Sequence, residues 1–531
     1  MTIVGGALGA NIINQGLLVA QSAVTLSGAI TTTASSILRV QGSPTYGAAS
    51  LTVSNGFTNL GAIELTELVA GYGSSLAVTS GTLANASGAT ITPLAAFGGP
   101  RSLLAEINNQ GTIAIGDAQG LTLGRASAAS TNSGSLNVTG GNLTLNQTGA
   151  SPSFTNTGTV AIDSAQTWTV NGGTLDVSTG TTAGAGTLIV NGVILAFNTA
   201  AMTVPITFNG TTTIVGGSVT IPYGQTLTIA GGTLNAPIAN NGLLIAQGAT
   251  NLGGAYTANS GSITRVQGNS TYGVATLTFA SGFTNNATIE LTELTAGYGA
   301  TINVASGTLT NASTGTISSL AGFGGPRTIG AQLDNQGNVA IARTTTLAKA
   351  GAAHTNSGTV SVTAGTFVVT QTGTTPTFAN TGTMALNTST GLQVTGGTFT
   401  NAAAGLVQGP GTLDISGTTF VDSGTIAVAS GAAAGLMNLT GNYNQSSSGV
   451  FNTKLGGTSA GPGGYDRLGV TGTLTLSGTL NVTLFGGFVA YSGHTYTIMT
   501  FVASPVGNFT TINLPAGCSA APTTNQYNIV C

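Results

Sequence analysis

The chain has 531 residues, of which only 4% are charged, and its formal net charge is −3. No basic surface is available to neutralise a phosphate backbone, which excludes nucleic acid as a partner. A hydrophobic fraction of 41% at this low charge does not fit a disordered tail, and no run of 18 apolar residues reads as a transmembrane helix.

The first residues, MTIVGGALGANIINQGLL, place no Lys or Arg ahead of their apolar positions. They do not read as a secretory signal, which is expected to be removed or to lie upstream. Residues 4–16 (VGGALGANIINQG) match residues 230–242 (AGGTLNAPIANNG) at an offset of 226. The same offset relates residues 55–73, NGFTNLGAIELTELVAGYG, to residues 281–299, SGFTNNATIELTELTAGYG, with 14 of 19 positions identical. LAAFGGPR at 94–101 returns as LAGFGGPR at 320–327, and NNQGTIAI at 108–115 as DNQGNVAI at 334–341. From TNSGSLNV at 131–138, matched by TNSGTVSV at 355–362, the offset is 224, which places a two-residue deletion near residues 342–352. A long internal repeat of this kind marks a duplicated structural block.

A shorter period lies inside the long one. N-x-G triplets begin at Asn109, Asn132 and Asn156, and again at Asn356 and Asn380, 23 or 24 residues apart. Each is followed by a short alternating run (GTIAI, GSLNV, GTVAI, GTVSV, GTMAL), the signature of a half-buried strand. Asn and Gly are read here as corners that tolerate a left-handed backbone. Strands and corners at this period predict an all-β chain: one long parallel β-helix of roughly 20 coils, right-handed, with a small C-terminal β cap. Stacked outward positions face like residues one strand away, so Thr, Ser and Asn suit them better than repeated charge.

The predicted division is a first repeat block with connecting coils (1–229), a second block (230–439), a Gly/Ser-rich linker or irregular coil (440–464) and a β-rich cap (465–531). Both cysteines, Cys518 and Cys531, fall in the cap. CSAAPTTNQYNIVC reads as a hairpin closed by a disulfide, which points to an oxidising compartment.

The C-terminal stretch opens with Tyr465 to Leu468 and continues through GTLTLSGTLNVTL, the Gly487–Phe488 turn, YTIMTF and GNFTTINLP. In these features, and in the TNSGT and NTGTV triplets, it resembles bacterial secreted β-helix surface proteins: autotransporter passenger domains and filamentous-haemagglutinin-like proteins. The likeness covers most of the chain in style and about 60 residues in recognisable order. It implies a β-helix at the cell surface or outside the cell. Autotransporters continue into a membrane barrel, and no such segment follows residue 501 here.

Charged residues are few enough to weigh singly. IELTEL places Glu64 and Glu67, and Glu290 and Glu293, as paired carboxylates, the arrangement glycoside hydrolysis uses. A structural reading is preferred. Arg39 precedes Glu64 by 25 residues, and Arg265 precedes Glu290 by 25, about one coil, so each pair is expected to stack as a surface ion pair. Arg101 and Arg327 of FGGPR are predicted on a loop leaving the coil, as cover for it or as contacts to a sugar or acidic partner. Tyr72 and Tyr298 are a second such pair, able to stack on sugars. His354 and His494 have no acidic or Ser neighbour in register, and no P-loop, HExxH, GxSxG or calcium repeat occurs. No catalytic residue, metal or cofactor is therefore expected.

These readings lead to an extracellular structural protein without enzymatic activity, a β-helical fibre subunit or adhesin. Self-association through the β-helix ends is expected, because open ends present unpaired strand edges, with surface glycans or host-cell components as further partners. A polysaccharide-binding or polysaccharide-degrading β-helix is the alternative. Ice binding ranks lower, because no single T-x-T column persists along the chain.

Overall fold

The computed structural model describes residues 1–531 except Ala70, Ala96 and Ala432. Among the described residues every regular element is a β-strand, and no helix is long and apolar enough to cross a membrane. The fold is a parallel β-solenoid. It divides into two compact units, Met1–Ile245 with Thr250–Gly254, and Ala246–Ala249 with Ala255–Cys531.

In the first unit each coil contributes to three columns of parallel strands. One column stacks Ile37–Gly42, Ala62–Glu67, Thr90–Pro93, Thr112–Ile115, Ser135–Val138 and Thr159–Ile162. Its inward rungs Ile63, Ile91, Ile113, Leu136 and Val160 lie directly on one another, and each is at most 1% exposed. A second column stacks Leu51, Leu76, Leu103, Leu123, Leu145 and Val170 in the same way. The third begins at Phe57–Asn59 and passes through the ends of Ser74–Asn85 and Arg101–Asn109 to Ala129–Asn132 and Ser153–Asn156. The strict alternation in the sequence is thus a stack of apolar rungs, each buried side chain contributing about 1.5–3 kcal/mol.

The second unit repeats this plan from Ile263–Gly268 through Thr288–Glu293 and Thr316–Ser319 to Asn338–Ile341. Residues 440–464 include the strand Val450–Leu455, which stacks between Thr425–Ala427 and Thr479–Leu484. Parallel stacking reaches Thr511–Asn513. Only then do strands reverse: Gln526–Val530 runs antiparallel to both Thr495–Thr500 and Ser519–Pro522. The Cys518–Cys531 disulfide closes that hairpin.

The corners depart from the sequence expectation in their physics. No Asn adopts a positive φ among the described residues. The triplet Asn residues turn inward instead, and each hydrogen-bonds to the Asn of a neighbouring coil. Their glycines serve close approach: a Cβ on Gly111, Gly134 or Gly158 would meet a backbone oxygen of the adjacent coil at 2.3, 2.1 or 2.2 Å.

Candidate functional site

The triplets build two amide ladders. In the first unit Asn59 Nδ2 donates to Asn85 Oδ1 at 2.8 Å, Asn85 to Asn109 at 2.7 Å, Asn109 to Asn132 at 2.6 Å and Asn132 to Asn156 at 2.7 Å. The last donor reaches the Thr181 carbonyl. In the second unit the ladder runs Asn285, Asn311, Asn335, Asn356, Asn380, Asn401, and its last donor meets Asp422 Oδ1 at 2.8 Å. Every amide points the same way along its ladder, an arrangement in which the bonds polarise one another.

Asp422 is fully buried. Its Oδ1 also accepts the Gly424 N–H, and its Oδ2 lies 2.9 Å from the Tyr443 hydroxyl. That hydroxyl is equally 2.9 Å from Gln445 Oε1, while Gln445 Nε2 donates to the Gly449 and Ser477 carbonyls. One phenolic proton cannot serve two acceptors. A proton on Asp422 Oδ2 resolves the conflict: the acid donates to Tyr443, and Tyr443 donates to Gln445. Burial pushes the Asp422 carboxyl up to about 6, only partly offset by its hydrogen bonds with Asn401, Tyr443 and Gly424.

The two IELTEL copies separate their glutamates. Glu64 accepts Arg39 Nε at 2.7 Å, and Glu290 accepts Arg265 Nε at 2.7 Å, in partly exposed pairs. Glu67 and Glu293 turn into the solenoid. Glu293 takes the Gly324 and Gly325 N–H groups at 2.7 and 2.8 Å and Arg327 Nη1 at 2.8 Å. Glu67 takes the Gly99 N–H, and Arg101 Nη2 lies 3.5 Å from it. Burial alone would raise both carboxyls, but the glycine N–H groups and the arginines bring each below the ordinary carboxylate range. A Cβ on Gly99 or Gly325 would sit 2.3 or 2.2 Å from the carboxylate, so the FGGPR loop needs glycine to wrap it.

Arg101 and Arg327 are each 1% exposed. Their expected surface role is corrected: they are the internal counter-ions of Glu67 and Glu293, and their loop covers them. What FGGPR exposes is its phenylalanine, with Phe97 66% and Phe323 69% accessible. Tyr72 and Tyr298 are half-buried. His354 occupies an inward rung, where its Nδ1 accepts the Leu333 N–H at 3.1 Å and burial lowers its pKa to about 4. Asp466, in the YDRL motif, accepts the Gly435 and Lys454 N–H groups, and burial pushes it up to about 6. No group of three or more His, Cys, Asp or Glu suited to a metal occurs among the described residues.

Sequence reasoning missed Asp422 and the burial of the Arg–Glu pairs. The signal for the ladder was present, because the triplets keep Asn at one position of the coil. Asp422-Ser423-Gly424 keeps the spacing of the triplets, with an acid where the run carries Asn. Neither a protein-family model nor a curated protein matches the chain.

Proposed function

We propose that this protein is an extracellular structural protein, a β-helical fibre subunit or adhesin without enzymatic activity. The supporting observation is the use made of its best-kept motifs. IELTEL and FGGPR together hold one loop against the coil and present Leu68 and Phe97 in one copy, and Leu294 and Phe323 in the other, as exposed apolar side chains. Large apolar groups repeated on matched loops suit contact with another surface. The terminal disulfide suits an oxidising compartment outside the cytosol.

The test compares the wild-type protein with the double variant Phe97→Ser, Phe323→Ser. Negative-stain microscopy reads assembly, and retention on cell-surface or abiotic films reads adhesion. Assembly or adhesion by the wild type that falls in the variant is expected. Unchanged behaviour in the variant, or reducing-sugar release from a polysaccharide panel, would overturn the reading.

A further inference from the structure

The duplication contains one internal contrast that bears on binding. In the first copy, residues 116–120 (Gly-Asp-Ala-Gln-Gly) join the strand Thr112–Ile115 to Leu121–Leu123. In the second, residues 342–344 (Ala-Arg-Thr) join Asn338–Ile341 to Thr345–Ala348. The register on either side is the same: Leu103 pairs with Leu123, and Ile329 with Leu347. Two residues are missing between.

The longer loop folds Asp117 back onto the buried arginine. Asp117 Oδ2 is 3.6 Å from Arg101 Nη2, whose other neighbour is Glu67 at 3.5 Å. Two carboxylates thus face one guanidinium. The shorter loop has no such acid. Arg327 is held by Glu293 through Nη1, and its Nη2, like Arg101 Nη2 in the first copy, is buried without a hydrogen-bond partner. In place of the acid stands Arg343, whose Nη2 lies over Gly324, 3.5 Å from where a Cβ would be. Among the described residues no carboxylate pairs with Arg343. Between Arg327, Arg343, Gly324 and the Thr344 and Thr346 side chains opens a cavity of about 400 Å³.

We infer that this cavity binds a carboxylate-bearing sugar, with the half-exposed Arg343 taking the ligand carboxylate. A guanidinium fork matches a carboxylate in two parallel hydrogen bonds. The threonine hydroxyls and loop backbone offer partners for sugar hydroxyls, and the volume falls within the range of small-ligand pockets. The cavity is walled by the FGGPR loop, but Phe323, the side chain proposed for adhesion, does not line it.

The test is calorimetric titration of the full chain with D-glucuronate, D-glucose and acetate. D-Glucuronate is expected to bind, more weakly at high salt, and acetate and D-glucose to bind far less. Arg343→Gln should cost about tenfold to a hundredfold in affinity, the worth of a charged hydrogen bond. Arg343 is half-exposed, so this variant should fold normally, and circular dichroism checks that. Replacing Arg343-Thr344 by Asp-Ala-Gln-Gly should abolish binding, while Arg265→Gln should leave it intact. Absence of D-glucuronate binding, equal binding of D-glucose or acetate, or unchanged affinity in Arg343→Gln would overturn the inference.

Discussion

The two copies of the repeated block agree where strands stack and part company at the loops and ladder ends. Asn109 and Asn335 make the same rung contacts, to Asn132 at 2.6 Å and to Asn356 at 2.7 Å. Ser130 and His354, at one inward position, even accept the same backbone N–H, from Ile107 and Leu333. The differences are electrostatic. Asp117 becomes a shortened loop with Arg343, and the Glu106–Arg125 pair becomes Gln332 with Lys349. The first ladder ends on a carbonyl and the second on an acid. Stacking constrains every rung through its neighbours above and below, whereas a loop or a ladder end answers to one neighbour and can diverge.

The largest expected effect comes from the buried arginines. Arg327→Met strips Glu293 of its counter-ion and should cost about 3–5 kcal/mol, the usual loss when one partner of a buried pair goes. Arg101→Met leaves two buried acids, Glu67 and Asp117, and should cost more, read as a larger drop in the midpoint of urea unfolding. Equal losses would break the contrast between the two loops.

Next comes the acid end of the second ladder. Asp422→Asn reproduces the protonated acid: the amide accepts from Asn401 and donates to Tyr443. The native carboxyl titrates near 6 and the unfolded one near 3.8, so the folded state holds more protons between these values. Stability contributed by this group therefore falls as pH rises through that window. The variant should gain up to about 3 kcal/mol above the window and almost nothing below it. Asp466, also raised to about 6, has the same sign. His354, lowered to about 4 by burial, has the opposite one: it favours unfolding as pH falls below its unfolded value of about 6.5. Unfolding midpoints of wild type and variant across this range check the sign.

Within the ladders, Asn109→Ala and Asn335→Ala each orphan a donor on one side and an acceptor on the other, at about 1–3 kcal/mol. Matched losses would sharpen the equivalence of the copies; unequal ones would break it. Smallest is the surface pair: Arg39→Gln and Arg265→Gln should each cost less than about 1 kcal/mol and less still in high salt.

The sequence made the solenoid legible because stacking repeats one rule, and a register near 23 residues shows it without any homologue. The pairing of Arg39 with Glu64 followed from the same count. Burial of Glu67 and Arg101 was not legible. Both lie where a loop leaves the coil, and period says nothing about a side chain there. The Asn residues were placed correctly at corners but for a different reason: the alphabet of turns and that of amide ladders share one residue. Asp422 went unread because an acid stands where the triplets carry Asn, with its partners Asn401 and Tyr443 21 residues to either side.

The central claim is that the repeated Asn triplets are internal framework. Exchange of Asn side-chain amides in heavy water, followed by NMR, tests it without any substitution. The rung amides of Asn85, Asn109, Asn132, Asn311, Asn335 and Asn356 are expected to persist long after those of exposed Asn142 and Asn286 have exchanged. Rung amides that exchange as fast as the exposed ones would contradict it.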